Sequence, residues 1–151
     1  MNIRRAQPEE AELLTKIALD AKSYWGYPAD WIKHWETDLT VSSDFIAQHH
    51  VYVAEEAGDV RGFYALCVSG EKAELEHLWV RPDYIGGGIG KKLFLDAMER
   101  ASSLNAHSIE LSADPNAEGF YERMGAKQIG EIRSDVQGVY RKLPRMKIEP
   151  L

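Results

Sequence analysis

Leu78-Trp-Val-Arg-Pro-Asp-Tyr-Ile-Gly-Gly-Gly-Ile-Gly-Lys-Lys-Leu93 decides how the rest of the chain is read. Four of the five residues 86–90 are glycine. They separate a β-rich run from a stretch in which Leu93, Phe94, Ala97, Met98 and Ala101 recur at helical spacing. Glycine lets successive amides point the same way and lets a ligand approach the bare backbone. At a helix N-terminus those amides and the helix dipole attract an anion, and Lys91 and Lys92 add positive charge. Two phosphate motifs do not fit. A Walker loop needs Ser or Thr after Gly-Lys, where this chain has Lys92. A dinucleotide fingerprint needs glycine at Lys91 or Leu93, depending on where it begins. A tight strand-to-helix turn without a ligand is the other reading, and the three consecutive glycines before a basic turn favour anion binding.

Working outward, Ala73 to Arg81 reads as the strand before the loop and Ser108 to Ser112 as the strand after its helix, a parallel β-α-β step. Upstream, His50 to Glu56 and Val60 to Ser69 flank Ala57-Gly58-Asp59, a hairpin signal, and Asn2 to Arg5 reads as a short first strand. From Pro8, Ala11, Leu14, Ile17, Ala18 and Ala21 recur at three- and four-residue steps behind an acidic first turn, which predicts a helix. Pro28 to about Leu39 predicts a second, aromatic-rich helix, and Pro115 to Met124 another. Ala126 to Arg133 and Val139 to Lys147 close the chain as strands around Asp135–Gly138. This order implies an α/β (α+β) fold, a mixed and mostly antiparallel sheet of seven strands flanked by about four helices. No repeat, low-complexity tract or linker interrupts it, so residues 1–151 are read as one domain.

Composition narrows the function. With 44% hydrophobic and 28% charged residues, disordered and collagen-like classes are excluded. The net charge of −6 argues against nucleic-acid binding and mildly favours cationic small partners. The single Cys67 cannot form an intrachain disulfide, and no Cys/His cluster has zinc spacing, so no metal is expected. Phe63 to Val68, the longest strongly apolar run, is too short to cross a bilayer, and the N-terminus turns acidic before a signal-like stretch forms. A cytoplasmic protein without membrane attachment is expected.

The segment from Leu78 to Leu93 resembles the acetyl-CoA-binding motif of the GCN5-related N-acetyltransferases, the GNAT superfamily. Ala117-Glu-Gly-Phe-Tyr-Glu-Arg-Met-Gly125 resembles that family's second motif, and the element order fits over nearly the whole chain. The resemblance implies a GNAT-like fold and acetyl-CoA as the acetyl donor. By position, Gly86, Gly88 and Gly90, with Ile85, Gly87, Ile89 and Lys91, would hold the pyrophosphate of coenzyme A. Main-chain groups of Leu78, Trp79 and Val80 would pair with the pantetheine arm, with one amide facing the thioester oxygen. Asp114, Asn116 and Phe120 complete the implied cofactor contacts. Ile85 stands where the family places Gln or Arg, and Asp114 where it places Asn. A homodimer is common in the family.

Amine acetylation needs a base for the ammonium, a donor for the developing oxyanion and a proton for the leaving thiolate. The family match makes Tyr121 the donor to sulfur, whereas spacing alone also fits Phe120, Tyr121 and Met124 as a buried helix face. Glu76 is taken as the base because the family often carries an acid on this strand; a salt-bridged glutamate is the competing reading, and Glu110 and His77 stand in reserve. On strict alternation, Glu74 and Glu76 share one strand face and His77 takes the other. Tyr24, Trp25 and Tyr27 surround Gly26 and are expected to wall the acceptor site, with Ser134 and Tyr140 opposite, while Trp31 and Trp35 pack helix against sheet. Cys67 is expected to pack inside a strand, and Glu55-Glu56 and Arg141-Lys142 to be solvated. The implied function is direct acetyl transfer from acetyl-CoA to a primary amine, on a small molecule or on a protein or peptide. A non-catalytic acyl-CoA sensor is the alternative class, although it would need neither Tyr121 nor an acid at 76.

Overall fold

The computed structural model describes residues 1–150. Its strands are β1 (Asn2–Arg5), β2 (His50–Glu56), β3 (Asp59–Ser69), β4 (Lys72–Val80), β5 (Ser108–Ser112), β6 (Lys127–Val136) and β7 (Val139–Ile148). Its helices are α1 (Ala11–Ser23), α2 (Ala29–His34), α3 (Glu36–Leu39), α4 (Ser43–Gln48), α5 (Ile89–Ser103) and α6 (Glu118–Arg123). The strands form one sheet in the order β1-β2-β3-β4-β5-β7-β6. Every neighbouring pair is antiparallel except β4 and β5, which α5 connects. Two hairpin turns set the register. Ala57 and Gly58 (φ 52° and 80°), and Gln137 and Gly138 (48° and 79°), are all left-handed, as a two-residue turn matching the strand twist requires.

Each face of the sheet carries its own core. On one face Tyr64, Leu66, Ala73, Leu75, Ile109 and Leu111 of the sheet share a core with Leu93 and Phe94 of α5 and Tyr121 of α6. Leu14, Ile17, Trp35, Leu39, Ile46, Phe63 and Ala65 pack on the opposite face beneath α1, α3 and α4. Each fully buried Leu or Phe contributes about 1.5–3 kcal/mol. The stripes Leu14, Ile17, Ala18, Ala21 on α1 and Leu93, Phe94, Ala97, Met98, Ala101 on α5 are buried as their spacing predicts.

Six helices replace the expected four or so. The segment from Pro28 to Leu39 breaks at Trp35, whose ring is buried and whose backbone (φ −85°, ψ −2°) joins α2 to α3. α4 was not foreseen; the Ser42 side chain caps it by accepting from the Phe45 amide at 3.0 Å.

Two departures from regular pairing shape the sheet's centre. Between β3 and β4, Leu75 pairs with Leu66 but His77 pairs with Ala65, so Glu76 is the extra residue of a β-bulge. The bulge reverses the alternation: Ala73, Leu75, Leu78 and Val80 join the α5 core, while His77 and Trp79 face the α1 side. Glu74, opposite Cys67 before the bulge, therefore shares a face with His77, contrary to strict alternation. Farther along, β4 and β5 pair only from Lys72–Ser108 to Glu74–Glu110, and then part.

Candidate active site

The parting of β4 from β5 leaves main-chain groups of β4 unpaired on one side. Arg81 N–H donates to Arg61 O at 2.8 Å, so alternate residues 79 and 81 turn their polar groups toward β3. Leu78 and Val80 turn theirs into the opening. On the other side of β4, Gly62 fits closely: a Cβ there would lie 2.7 Å from Trp79 O and 3.3 Å from Val80 Cα.

The glycine loop lies at the same end. Gly86 and Gly88 adopt φ of 91° and 84° and face open space. Among the described residues, the amides of Gly86, Gly88, Ile89, Gly90 and Lys91 donate to no backbone carbonyl, while Lys92 N–H donates to Gly88 O at 3.1 Å. Unpaired amides around a helix N-terminus, with exposed Lys91 and Lys92 beside them, fit a diphosphate. Ile85 is exposed at the rim. The stem is held by Asp59, whose carboxylate accepts from Arg81 at 2.7 Å and from the Tyr84 hydroxyl at 2.8 Å. The Arg61 guanidinium lies 4.3 Å over the Tyr84 ring. A cleft of about 510 Å³ runs beside the loop between Arg61, Tyr84, Gly86, Gly87 and Lys92.

α6 supplies the inner wall. A Cβ on Gly90 would lie 3.6 Å from the Phe120 ring and 3.7 Å from a Val80 methyl, so these three line one narrow space. Tyr121 is 8% exposed and edges against Phe94 and Phe120 at centroid distances of 5.8 and 5.1 Å. Its hydroxyl has no hydrogen-bond partner among the described residues. Burial, and secondarily the Asp114 charge, push the phenol well above its ordinary pKa, so it stays protonated at neutral pH.

On β4, Glu76 reaches solvent from the bulge, yet the protein packed about its carboxyl and the adjacent Glu74 charge raise its pKa. Glu76 forms no ion pair among the described residues. Its neighbours are committed: Arg145 binds Glu74 in a close ion pair and approaches Glu110 at 3.3 Å, and Lys72 also pairs with Glu110 at 3.2 Å. His77, 9% exposed, accepts at Nδ1 from Trp79 Nε1–H at 3.0 Å; burial lowers its pKa to about 4. The Cys67 thiol is pushed up to about 11, by burial first and then by the Glu76 and Glu74 charges.

A polar and aromatic cluster sits where β5 ends. Asp114 pairs with Lys22 at 2.5 Å and accepts from the Tyr27 hydroxyl at 3.0 Å and the Asn116 amide at 2.8 Å. Lys22 lies 4.2 Å over the Trp35 ring, and Arg141 donates to the Tyr27 hydroxyl at 3.0 Å. Burial lowers the Lys22 pKa, and Asp114 restores only part of it. Burial opposes the Asp114 charge too, but Lys22 and the hydrogen bonds outweigh it and hold the carboxyl below its usual range.

The structure thus gathers Leu78, Val80, Gly90, Phe120 and Tyr121 around the opening, while Asp114, Asn116 and Tyr27 bond to one another. Tyr24 and Trp25 project into solvent, edge to face at 5.2 Å. Ser134 pairs in register with Arg141 across the last hairpin, and exposed Tyr140 stacks under Arg133 at 4.6 Å. Arg141 does not lie on a solvated face as its neighbour Lys142 suggested; it is half-buried among rings. Glu55 is likewise drawn into a pair with Arg4 at 2.8 Å. Sequence reasoning also missed Lys22 and Asp59. Lys22 flanks the α1 apolar stripe by one position, and Asp59 was read only as part of a turn.

Residues 47–125, from the end of α4 through α6, match the family model of the acetyltransferase (GNAT) domain. Over 98% of this chain and 97% of the relative, the sequence is 31% identical to the peptidyl-lysine N-acetyltransferase YjaB of Salmonella typhimurium. It is 28% identical to the 5-NmdU N-acetyltransferase of Pseudomonas phage PaMx11, covering 85% of this chain and 89% of that one. The PaiA N-acetyltransferase of Thermoplasma acidophilum, solved in complex with coenzyme A, superposes with a TM-score of 0.79 at 23% identity over 98% of both chains. The chain belongs to the GNAT acetyltransferase family. It is an acetyl-CoA-dependent N-acetyltransferase.

Proposed function

We propose that this enzyme acetylates a primary amine by direct attack in a ternary complex, with Glu76 as base and Tyr121 as acid. The observation that carries the assignment is a contrast in commitment. Glu74, Glu110 and Asp114 are tied to cations, whereas no ion pair engages the Glu76 carboxyl, just beyond the last β4–β5 pair, and no hydrogen bond engages the Tyr121 hydroxyl, in the core that Leu78 and Val80 pack against. At pH 7 roughly one alkyl amine in a few thousand is neutral, so a base is required.

Acetyl-CoA supplies the acyl thioester. The amides of Gly86, Gly88, Ile89, Gly90 and Lys91 and the side chains of Lys91 and Lys92 hold its diphosphate, and the Leu78 and Val80 edge pairs with its amide-bearing arm. Glu76 accepts the ammonium proton, directly or through one water, and nitrogen attacks the carbonyl carbon. An amide near Val80 donates to the carbonyl oxygen. As the carbon–sulfur bond breaks, Tyr121 gives its proton to sulfur, its elevated pKa keeping that proton available, and the second proton leaves nitrogen to restore the phenol as the amide forms. A covalent acyl-cysteine route has no support, because Cys67 is the only cysteine and its thiol is protonated at neutral pH.

The acceptor is a small-molecule or peptide amine. The two relatives, a peptidyl-lysine N-acetyltransferase and a 5-NmdU N-acetyltransferase, both transfer acetyl to nitrogen, which supports this reading. Tyr121→Phe tests the mechanism. It should lower kcat by roughly tenfold or more while leaving acetyl-CoA affinity intact. Wild-type turnover in that variant would remove Tyr121 from the proton transfer.

A further inference from the structure

Arg141 is half-buried within three rings. Its guanidinium carbon lies 5.1, 5.6 and 5.2 Å from the ring centroids of Tyr27, Trp31 and Trp35. It donates to the Tyr27 hydroxyl at 3.0 Å, and no carboxylate among the described residues pairs with it. The acid that shares the Tyr27 hydroxyl with it, Asp114, is already engaged by Lys22, Tyr27 and Asn116. Two cations therefore share one anion in a partly desolvated enclosure, within a chain whose net charge is −6.

An uncompensated charge withdrawn from water is costly, and ring faces with one neutral hydroxyl offset only part of that cost. The guanidinium keeps further N–H donors in a planar fork, which fits a carboxylate bidentately. Its place is also significant. The cluster lies just past the end of β5, on Asp114, Asn116 and Tyr27. Ser134 sits opposite Arg141 in the hairpin register. Through the Tyr27 hydroxyl the cation is joined to Asp114, which follows β5 at the end where β5 no longer pairs with β4.

We propose that Arg141 is a specificity residue that binds a carboxylate carried by the acceptor, so that the preferred substrates are amino acids rather than simple alkylamines. This rests on the acetyltransferase reading of the site. The amine is then placed toward Glu76 while its carboxylate rests on Arg141, and the net positive cluster helps the bound ammonium release its proton.

Matched pairs differing only in the carboxylate test this: lysine against 1,5-diaminopentane, phenylalanine against phenethylamine, and a series of ω-amino acids against their alkylamines. Binding to the protein saturated with coenzyme A is measured by calorimetry for wild type, Arg141→Gln and Arg141→Lys. In the wild type at least one acid should bind roughly tenfold or more tightly than its amine. Arg141→Gln should erase the difference, and Arg141→Lys should keep part of it, which also covers poor folding of the first variant. The proposal is overturned if no acid outbinds its amine, or if the preference survives in Arg141→Gln. Thiol release from acetyl-CoA in parallel samples separates the two claims. Carboxylate-dependent binding without release upholds the anion site and sinks the acetyl-transfer reading. Equal release and equal binding for both members of every pair do the reverse.

Discussion

Acidification should unfold this protein partly through His77. The side chain is 9% exposed, lies against Phe45 and Phe63 at 5.9 and 5.8 Å, and uses Nδ1 to accept from Trp79. A second proton would have to enter a dry site and evict that donor, which is why burial holds the pKa at about 4. The unfolded chain restores it to about 6.5. Between those values the unfolded state binds a proton that the native state refuses. Stability from this residue is therefore full above about pH 6.5 and lost progressively as the pH falls toward 4. The loss amounts to about 2 kcal/mol between pH 7 and 5, and about 3 kcal/mol in all. His50, also lowered by burial, adds a smaller loss of the same sign, and Glu76, raised, opposes it. His77→Gln isolates the contribution, since a glutamine oxygen can still accept from Trp79. Urea titrations followed by tryptophan fluorescence at pH 7, 6 and 5 should show a steeper loss in wild type than in His77→Gln. Parallel curves for the two proteins would refute the reasoning.

Other substitutions follow from the same geometry. Asp114→Ala leaves Lys22, whose side chain is 12% exposed, and Arg141 without an anion; thermal melts should report a loss of about 3–5 kcal/mol. Lys22→Met should cost less, because the Tyr27 hydroxyl and the Asn116 amide still donate to Asp114, and the reverse order would contradict this account of the cluster. Gly62→Ala sets a methyl 2.7 Å from Trp79 O; it should destabilise by about 1–3 kcal/mol and raise KM for acetyl-CoA by shifting the Leu78–Val80 edge. Unchanged melting together with unchanged KM would show that β4 yields without consequence. Glu76→Gln should abolish the ascending limb of the kcat/KM pH profile, which in wild type lies above the usual carboxylate range because the Glu76 pKa is raised. The same variant should be no less stable than wild type at pH 8, since a carboxyl of raised pKa loses native stability as the pH rises.

Local pattern made much of the fold legible. The stripes on α1 and α5, the glycines ahead of α5 and the turn at Ala57–Gly58 each carry a short-range signal, and each produced the expected element. The bulge at Glu76 carried none. Its cause is a register slip against Ala65 and Leu66 on another strand, so alternation read along β4 alone put Glu74 and His77 on opposite faces. The break at Trp35 was hidden for a similar reason: burying one large ring on the sheet matters more there than continuing a weak helix. In the candidate site, the residues of the two family motifs lie in short continuous segments, whereas Lys22, Arg141 and Asp59 act through partners 92, 114 and 25 residues away. No window along the chain contains both members of such a pair.

Asp59 gives the glycine loop a strut. Because Arg81 and Tyr84 rest on one carboxylate at the tip of the first hairpin, the stem of the glycine turn is braced before any thioester arrives. Entropy that a slack loop would surrender on capture has already been given up in folding, so more of the contact energy remains to distinguish one acyl carrier from another.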